Sequence, residues 1–206
     1  THVNAFAGDL PAAQAYLAKA LEHLRPRAAS VAAIGGLSGT GKSTLARMAA
    51  PGIGGAPGAV VLRTDEVRKR LFGAGPLQKL GPDAYTDEAH RAVYARMRQE
   101  AAAVLAAGRA VILDATFMDA DQRAMAEGLA AEAGVQFAGV WLQSDPDLLR
   151  QRVAARTGDA SDADLAVLEA QLADAPEPPA GWHLVTDHDF DNEARILCER
   201  LGWSGE

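Results

Sequence analysis

Cysteine is almost absent from this chain of 206 residues, with Cys198 as its single thiol. That excludes an intrachain disulfide and a multi-cysteine zinc site, and it fits a reducing compartment. Beside Ile196, Leu197 and Leu201, Cys198 reads as a small buried core residue rather than a reactive thiol. Asparagine is nearly as scarce. Asn4 and Asn192 are the only ones, so the N-K-x-D motif that reads guanine is missing and a GTPase is disfavoured. No apolar stretch approaches the ~20 residues that cross a bilayer. The N-terminus has no basic region leading into an apolar core, so neither a membrane span nor a secretory signal is expected. A cytoplasmic protein is expected. The histidines, His2, His23, His90, His183 and His188, are scattered without metal-ligand spacing.

What is present suits one α/β domain, because 49% hydrophobic and 23% charged residues exclude a disordered or fibrous chain. The net charge of −7 is unevenly placed: residues 157–206 carry 12 acidic against 2 basic side chains, and residues 1–156 carry 15 against 18. Tight non-specific nucleic-acid binding is not expected from such a balance, although a polyanionic substrate stays compatible with the mildly cationic part. Thr1 is not a methionine, which predicts a processed chain or a piece of a longer one.

Residues 36 to 43, Gly36-Leu37-Ser38-Gly39-Thr40-Gly41-Lys42-Ser43, form a complete G-x-x-x-x-G-K-[ST] phosphate-binding loop. Its glycines let backbone N–H groups turn inward on a phosphate, Lys42 bridges the outer phosphates, and the Ser43 hydroxyl can ligate Mg²⁺. The context matches: Ser30 to Gly35 is a short apolar run suited to a doubly buried parallel strand. Ser43 to Ala50 is helix-forming until Pro51-Gly52 stops it. That helix N-terminus, which includes Thr44, adds a dipole that favours an anion.

Leu10, Ala13, Leu17, Ala20, Leu21 and Leu24 repeat at helical spacing and predict an amphipathic helix over residues 10–25. Further strands are predicted at 59–64, 111–114, 135–142 and 183–186. Helices are predicted from near Asp65, from a Thr86 N-cap to Gly108, after the strand at 111–114, over 146–156, over 162–174 with Ser161 and Asp164 at capping-box spacing, and over 190–201. The alternation predicts one parallel, doubly wound sheet with no internal repeat and no second-domain linker.

Asp65 and Arg68 lie where the second strand ends, which is where open α/β sheets place ligands. Spaced i and i+3, they share a helix face. Asp65 is either a general base for an acceptor hydroxyl or an N-cap, and Arg68 either meets phosphoryl charge or forms a surface ion pair. Asp114 ends the next strand and either holds Mg²⁺ through water, positions a substrate hydroxyl, or caps a helix. Arg123 either touches substrate or is solvated. Trp141, Trp182 and Trp203 read as core anchors.

With these motifs, residues 30 to 190 resemble the P-loop kinases that include polynucleotide kinase 5′-kinase domains, zeta toxins, chloramphenicol phosphotransferase and gluconate kinase. The resemblance implies a P-loop NTPase fold: a five-stranded parallel sheet with helices on both faces, an adenylate-kinase-like order 2-3-1-4-5, and a small helical lid near 150–165. It implies ATP and Mg²⁺ as cofactors, with Gly36, Ser38, Gly39, Thr40, Gly41, Lys42, Ser43 and Thr44 around the nucleotide. Asp65 matches the catalytic base and Arg68 the arginine beside the reacting phosphate. Arg152 and Arg156 match lid arginines that close over the phosphates, whereas Arg150 does not stand out. Asp114 and Thr116 match an acid and a threonine of related kinases. Tyr85, His90, Arg91 and Tyr94 border the acceptor side or are core, and Asp187 and His188 line the base pocket.

The stretch from Tyr85 to Thr116, with Ser161-Asp162-Ala163 and Val167 to Gln171, is also similar to the kinase half of bacterial fusions with an aminoglycoside-phosphotransferase-like domain. Residues 1–27 would then be a helix or linker from that domain, and 28–206 the kinase. The expected activity is γ-phosphoryl transfer from ATP to a hydroxyl of a small molecule, or less expectedly of a nucleic-acid 5′ end. The competing class is a nucleotide-binding ATPase or switch acting on a fused or separate partner. A ring-forming AAA+ motor is disfavoured by length.

Overall fold

The computed structural model describes residues 9–23, 28–156, 158, 160–186 and 189–202. The expectations for His2, Leu24, Asp187, His188 and Trp203 lie outside the described residues.

The centre of the fold is β1, Ser30–Gly36, buried along its whole length. It runs parallel between β3, Val111–Asp114, and β4, Gln136–Leu142, while β2, Val60–Arg63, flanks β3 and β5, His183–Val185, flanks β4. The order β2-β3-β1-β4-β5 is the one the resemblance implies. Burial on both faces explains why these strands read as apolar runs instead of alternating ones. Val31 and Ala33 pack on one face with Val93, Met97 and Leu129, and Ala32 and Ile34 pack on the other with Leu45, Leu197 and Cys198.

The first of these faces is covered by α4, Asp87–Ala106, and α5, Ala120–Ala133. The second is covered by α2, Lys42–Ala49, and α8, Phe190–Arg200. The α3 helix, Thr64–Leu71, follows β2 directly. Trp141 and Trp182 are core residues, as read from sequence; both pack against Gly35 of β1, and Trp182 also covers Gly139 of β4. A Cβ on Gly139 would lie 2.4 Å from the Trp182 ring, so that ring packs flat on the strand only because the residue is glycine. Cys198 is buried and its Sγ lies 3.6 Å from the Ala49 carbonyl, again as read from sequence.

Capping sets the boundaries of the helices. Thr86 accepts from the Ala89 N–H at 3.2 Å and starts α4 as predicted. Asp145 accepts from Asp147 N–H at 2.8 Å and opens α6, Pro146–Ala154, with proline in its first turn. Most boundaries lie within two residues of expectation, and one differs by more. The following helix, α7, spans Leu165–Ala173 rather than 162–174, and its N-cap is Asp164, which accepts from Val167 N–H at 3.0 Å. Ser161 is not the cap because the Asp162 carboxylate is drawn away from the helix to Lys69, Leu80 and Tyr85. The N-terminal helix α1, Leu10–His23, is present, but only Ala13 of its apolar stripe is buried, and Leu10, Tyr16, Leu17 and Leu21 are exposed. Among the described residues, no helix is long and apolar enough to cross a membrane.

Candidate active site

Strand register brings the chemistry together. Ile34 of β1 and Arg63 of β2 both pair with Asp114 of β3, so the phosphate loop, the acid at the end of β3 and the start of α3 emerge at one level. The loop Gly36 to Ser43 turns through positive φ at Gly36, Gly39 and Gly41. Gly41 is the N-cap of α2 at φ 95°, and a Cβ there would meet the Phe190 ring at 2.4 Å. Glycine is therefore required twice over, by conformation and by space. Thr40 Oγ1 and Lys42 Nζ each donate to the Leu37 carbonyl at 2.8 Å, and the Ser38 N–H donates to Gln171 Oε1 of α7 at 2.8 Å. Ser43 Oγ donates to Asp114 Oδ2 at 2.5 Å.

Charges of both signs crowd this mouth. Arg63 Nε lies 3.1 Å from Asp114 Oδ2, and both side chains are buried. Asp65 stands half-buried in the first turn of α3. Burial, followed by the nearby Asp114 carboxylate, pushes the Asp65 pKa above the usual value, against the pull of Arg63, Lys42 and Arg68. Burial likewise holds the Lys42 ammonium below its usual pKa, opposed by Asp114 and Asp65. Among the described residues no cluster of His, Cys, Asp and Glu is arranged to hold a metal by itself. The Ser43 hydroxyl and Asp114 carboxylate nonetheless form a pair of hard oxygens suited to Mg²⁺, which keeps most of its waters.

On the other side of Asp65 lies a wall built from α3, the turn Pro82–Tyr85 and the start of α4. Arg68 is buried there. Its guanidinium donates to the Ala84 carbonyl at 2.5 Å, contacts His90 Nδ1 at 3.1 Å and lies 5.0 Å from the Tyr85 ring centre. Burial, then the Arg68 charge, lowers the His90 pKa, so the imidazole beside that guanidinium is favoured neutral. Thr116 and Tyr94 line the same space. Arg123, the remaining substrate candidate, falls outside the cavity lining. It donates to the Phe117 and Met118 carbonyls at 2.7 Å each, securing the turn in which Phe117 adopts φ 52°.

Two short helices, α6 and α7, form the expected lid, and an apolar cluster of Leu37, Leu149, Val153 and Leu168 seats them on the phosphate loop. Arg152 Nη1 donates to the Gly39 carbonyl at 3.3 Å, and Arg156 lines the cavity facing Lys42. Arg150, which did not stand out, bonds Glu169 and Asp147 on the exposed side of the two helices. Sequence reasoning gave no role to Arg63, Lys69, Gln171 or Phe190. Only the strand-end position of Arg63 and the mid-helix charge of Lys69 signalled anything. Lys69 is buried and pairs with Asp162 at 3.2 Å. Against the upward push of burial, hydrogen bonds from Tyr85, Leu80 and Lys69 leave the Asp162 pKa below the usual carboxylate range.

Loop, acids, wall and lid enclose one continuous cavity of about 1820 Å³, from Phe190 and Arg152 at one end to Tyr85, His90 and Gln122 at the other. It is roomy enough for two ligands side by side. Residues 31–178 match the AAA domain family. The chain belongs to that family. The match concerns a nucleotide-binding domain and carries no statement about rings or motors.

Solved structures similar to this AAA domain include kinases. APS kinase CysC of Mycobacterium tuberculosis, in complex with AMPPNP and APS, is 25% identical, with a TM-score of 0.61 over 86% of this chain and 99% of that one. A gluconokinase from Sinorhizobium meliloti is 22% identical, with a TM-score of 0.55 over 86% and 95%. Chaetomium thermophilum Kti12 in complex with ADP-AlF3 is 16% identical, with a TM-score of 0.62 over 85% and 100%, a likeness of fold. An uncharacterized protein of Mycobacterium tuberculosis is 36% identical over 175 residues, which are 83% of this chain and 34% of that protein. The chain thus spans about a third of the length of the curated relatives it matches. The fold is that of the P-loop kinases, and it supports nucleotide-dependent phosphoryl transfer in general.

Proposed function

We propose that the chain is an ATP- and Mg²⁺-dependent kinase that moves the γ-phosphoryl group to a hydroxyl of a small molecule, with Asp65 as general base. The observation that carries this reading is the place of Asp65 in the cavity. Its carboxyl stands between the phosphate loop with Lys42 and Ser43 and the wall bearing Tyr85, His90 and Tyr94. A phosphate bound on one side and a hydroxyl bound on the other are both within its compass. Its raised pKa makes it a stronger proton acceptor than a free aspartate, and partial burial keeps bulk water from competing.

The backbone of Gly36 to Ser43, with Thr44 in the first turn of α2, cradles the phosphates, and Lys42 leaves the Leu37 carbonyl for them. Arg152 and Arg156 close from the lid. Ser43 and Asp114 would hold Mg²⁺, which when bound would offset charge on the outer phosphates. Arg68 meets the developing phosphoryl charge in the resembling kinases. Its bonds to Ala84 and His90 give it a second task here, that of holding the acceptor wall. Thr116 and Tyr85 orient the acceptor. The net charge of −7 favours a small-molecule acceptor over a nucleic-acid end. The greater length of the relatives supports a fused partner domain, which the resemblance gives as aminoglycoside-phosphotransferase-like.

Asp65→Asn tests the assignment. The amide is nearly isosteric yet takes no proton, so Mg²⁺-ATP affinity stays within several-fold while transfer falls by roughly 10²-fold or more. Wild type is first screened against hydroxyl-bearing metabolites, aminoglycosides and 5′-hydroxyl oligonucleotides. Transfer that survives in the variant removes Asp65 from the base role. A screen with no acceptor but steady, partner-stimulated hydrolysis replaces the kinase with a switch.

A further inference from the structure

Asp162 lies in the connection between α6 and α7, on the nucleotide lid, yet among the described residues the bonds of its carboxylate cross to the acceptor side. Oδ1 accepts from Lys69 Nζ at 3.2 Å, and Oδ2 accepts from the Tyr85 hydroxyl at 2.6 Å and the Leu80 N–H at 3.1 Å. The side chains of Lys69 and Asp162 are only 3% and 9% exposed, so this is a buried ion pair and not a surface contact. Lys69 belongs to α3, one residue beyond Arg68 and four beyond Asp65. Tyr85 carries the ring over which the Arg68 guanidinium lies.

We propose that Asp162 is a positioning residue that ties the nucleotide lid to the acceptor wall, so that closing the lid over ATP and completing the acceptor pocket are one event. The proposal rests on the kinase reading for what the pocket receives, but the coupling itself is independent of the acceptor. The energetic reason lies in the ion pair. When the lid lifts, Asp162 leaves, and Lys69 is left as a buried ammonium without its carboxylate, which is costly unless α3 and the Leu80–Tyr85 segment loosen to hydrate it. Lid and wall are thereby driven to move together. The lid meanwhile senses the phosphate loop through other groups, Arg152 at the Gly39 carbonyl and Gln171 at the Ser38 N–H. A nucleotide acting on the loop has a covalent and hydrogen-bonded route through Asp162 to Tyr85, without touching Tyr85.

Hydrogen exchange of the full chain, with and without Mg²⁺ and AMPPNP, tests this. The Leu80 amide is the direct reporter because its hydrogen is bonded to Asp162. In wild type, AMPPNP slows exchange over residues 79–86, by a factor within the roughly 5- to 150-fold usual for coupled sites. In Asp162→Asn the factor falls to near one, while AMPPNP affinity by calorimetry stays within several-fold. If that variant fails to fold because Lys69 is stranded, Tyr85→Phe removes one bond without stranding a charge, and it lowers the factor part-way. A merely structural Asp162 would raise exchange equally with and without AMPPNP and leave the factor intact, which overturns the proposal. So does a wild-type segment indifferent to AMPPNP. Neither result bears on Asp65, whose test is transfer to an acceptor.

Discussion

Replacing Leu168 by alanine tests whether the lid is a layer with its own stability. Leu168 is fully buried on α7 against Leu37 of the phosphate loop and Leu149 and Val153 of α6, with Met118 and Leu172 at the margin. This cluster is separate from the two that cover the faces of the sheet. Truncating a fully buried leucine costs about 2–5 kcal/mol, the spread depending on how far the site collapses. At about 1.4 kcal/mol per factor of ten, the open population of α7 then rises by roughly 30-fold to several thousand-fold. Native-state hydrogen exchange measures it. Amides of Leu165–Ala173 exchange faster by that factor, those of Val111–Asp114 do not, and Mg²⁺-ATP binds more weakly because Gln171 and Arg152 are carried by the loosened layer. A uniform loss of protection, with α7 and β3 shifting together, would place Leu168 in the main cooperative core and refute the reasoning.

Burial lowers the Lys42 pKa in the free protein, and phosphates beside it raise the pKa again. ATP binding at alkaline pH therefore takes up protons, seen as a buffer-dependent heat in calorimetry. Lys42→Ala loses both the uptake and productive binding in a protein that still melts cooperatively, and unchanged affinity would sink the phosphate-loop assignment. Asp65 has the opposite sign. Its folded pKa lies above the ordinary 3.8, so the folded state holds more protons over that interval and this group's contribution to stability falls as pH rises through it. The acid limb of kcat/KM should lie above pH 3.8, and Asp65→Asn should remove that stability slope; an unchanged slope assigns it to another group. Gly41→Ala forces a φ of 95° on a residue with a Cβ 2.4 Å from the Phe190 ring. About 1–2 kcal/mol from the backbone alone, plus the clash, lowers Tm and nucleotide affinity together, and a variant that melts and binds like wild type would show that the turn has room.

Local signals made much of the fold legible. Thr86 caps α4, Asp145-Pro146 opens α6, and uninterrupted apolar runs mark doubly buried strands, because capping and burial on both faces are written within a few residues. The phosphate loop was legible for the same reason, since eight contiguous residues carry its conformation and its chemistry. Asp65 and Asp114 were legible as strand-end acids, though not the ion pair of Arg63 with Asp114, which depends on the register of β2 on β3. Only the tertiary structure decided that Ser43 bonds Asp114, 71 residues away, that Lys69 pairs with Asp162, 93 away, and that Ser38 meets Gln171, 133 away. It also turned Arg123 onto the backbone and moved the α7 cap from Ser161 to Asp164. A charged side chain on a helix has no local mark that tells solvent from a buried partner. Its partner is chosen by how sheet and helices stack, and that choice is made across the whole chain.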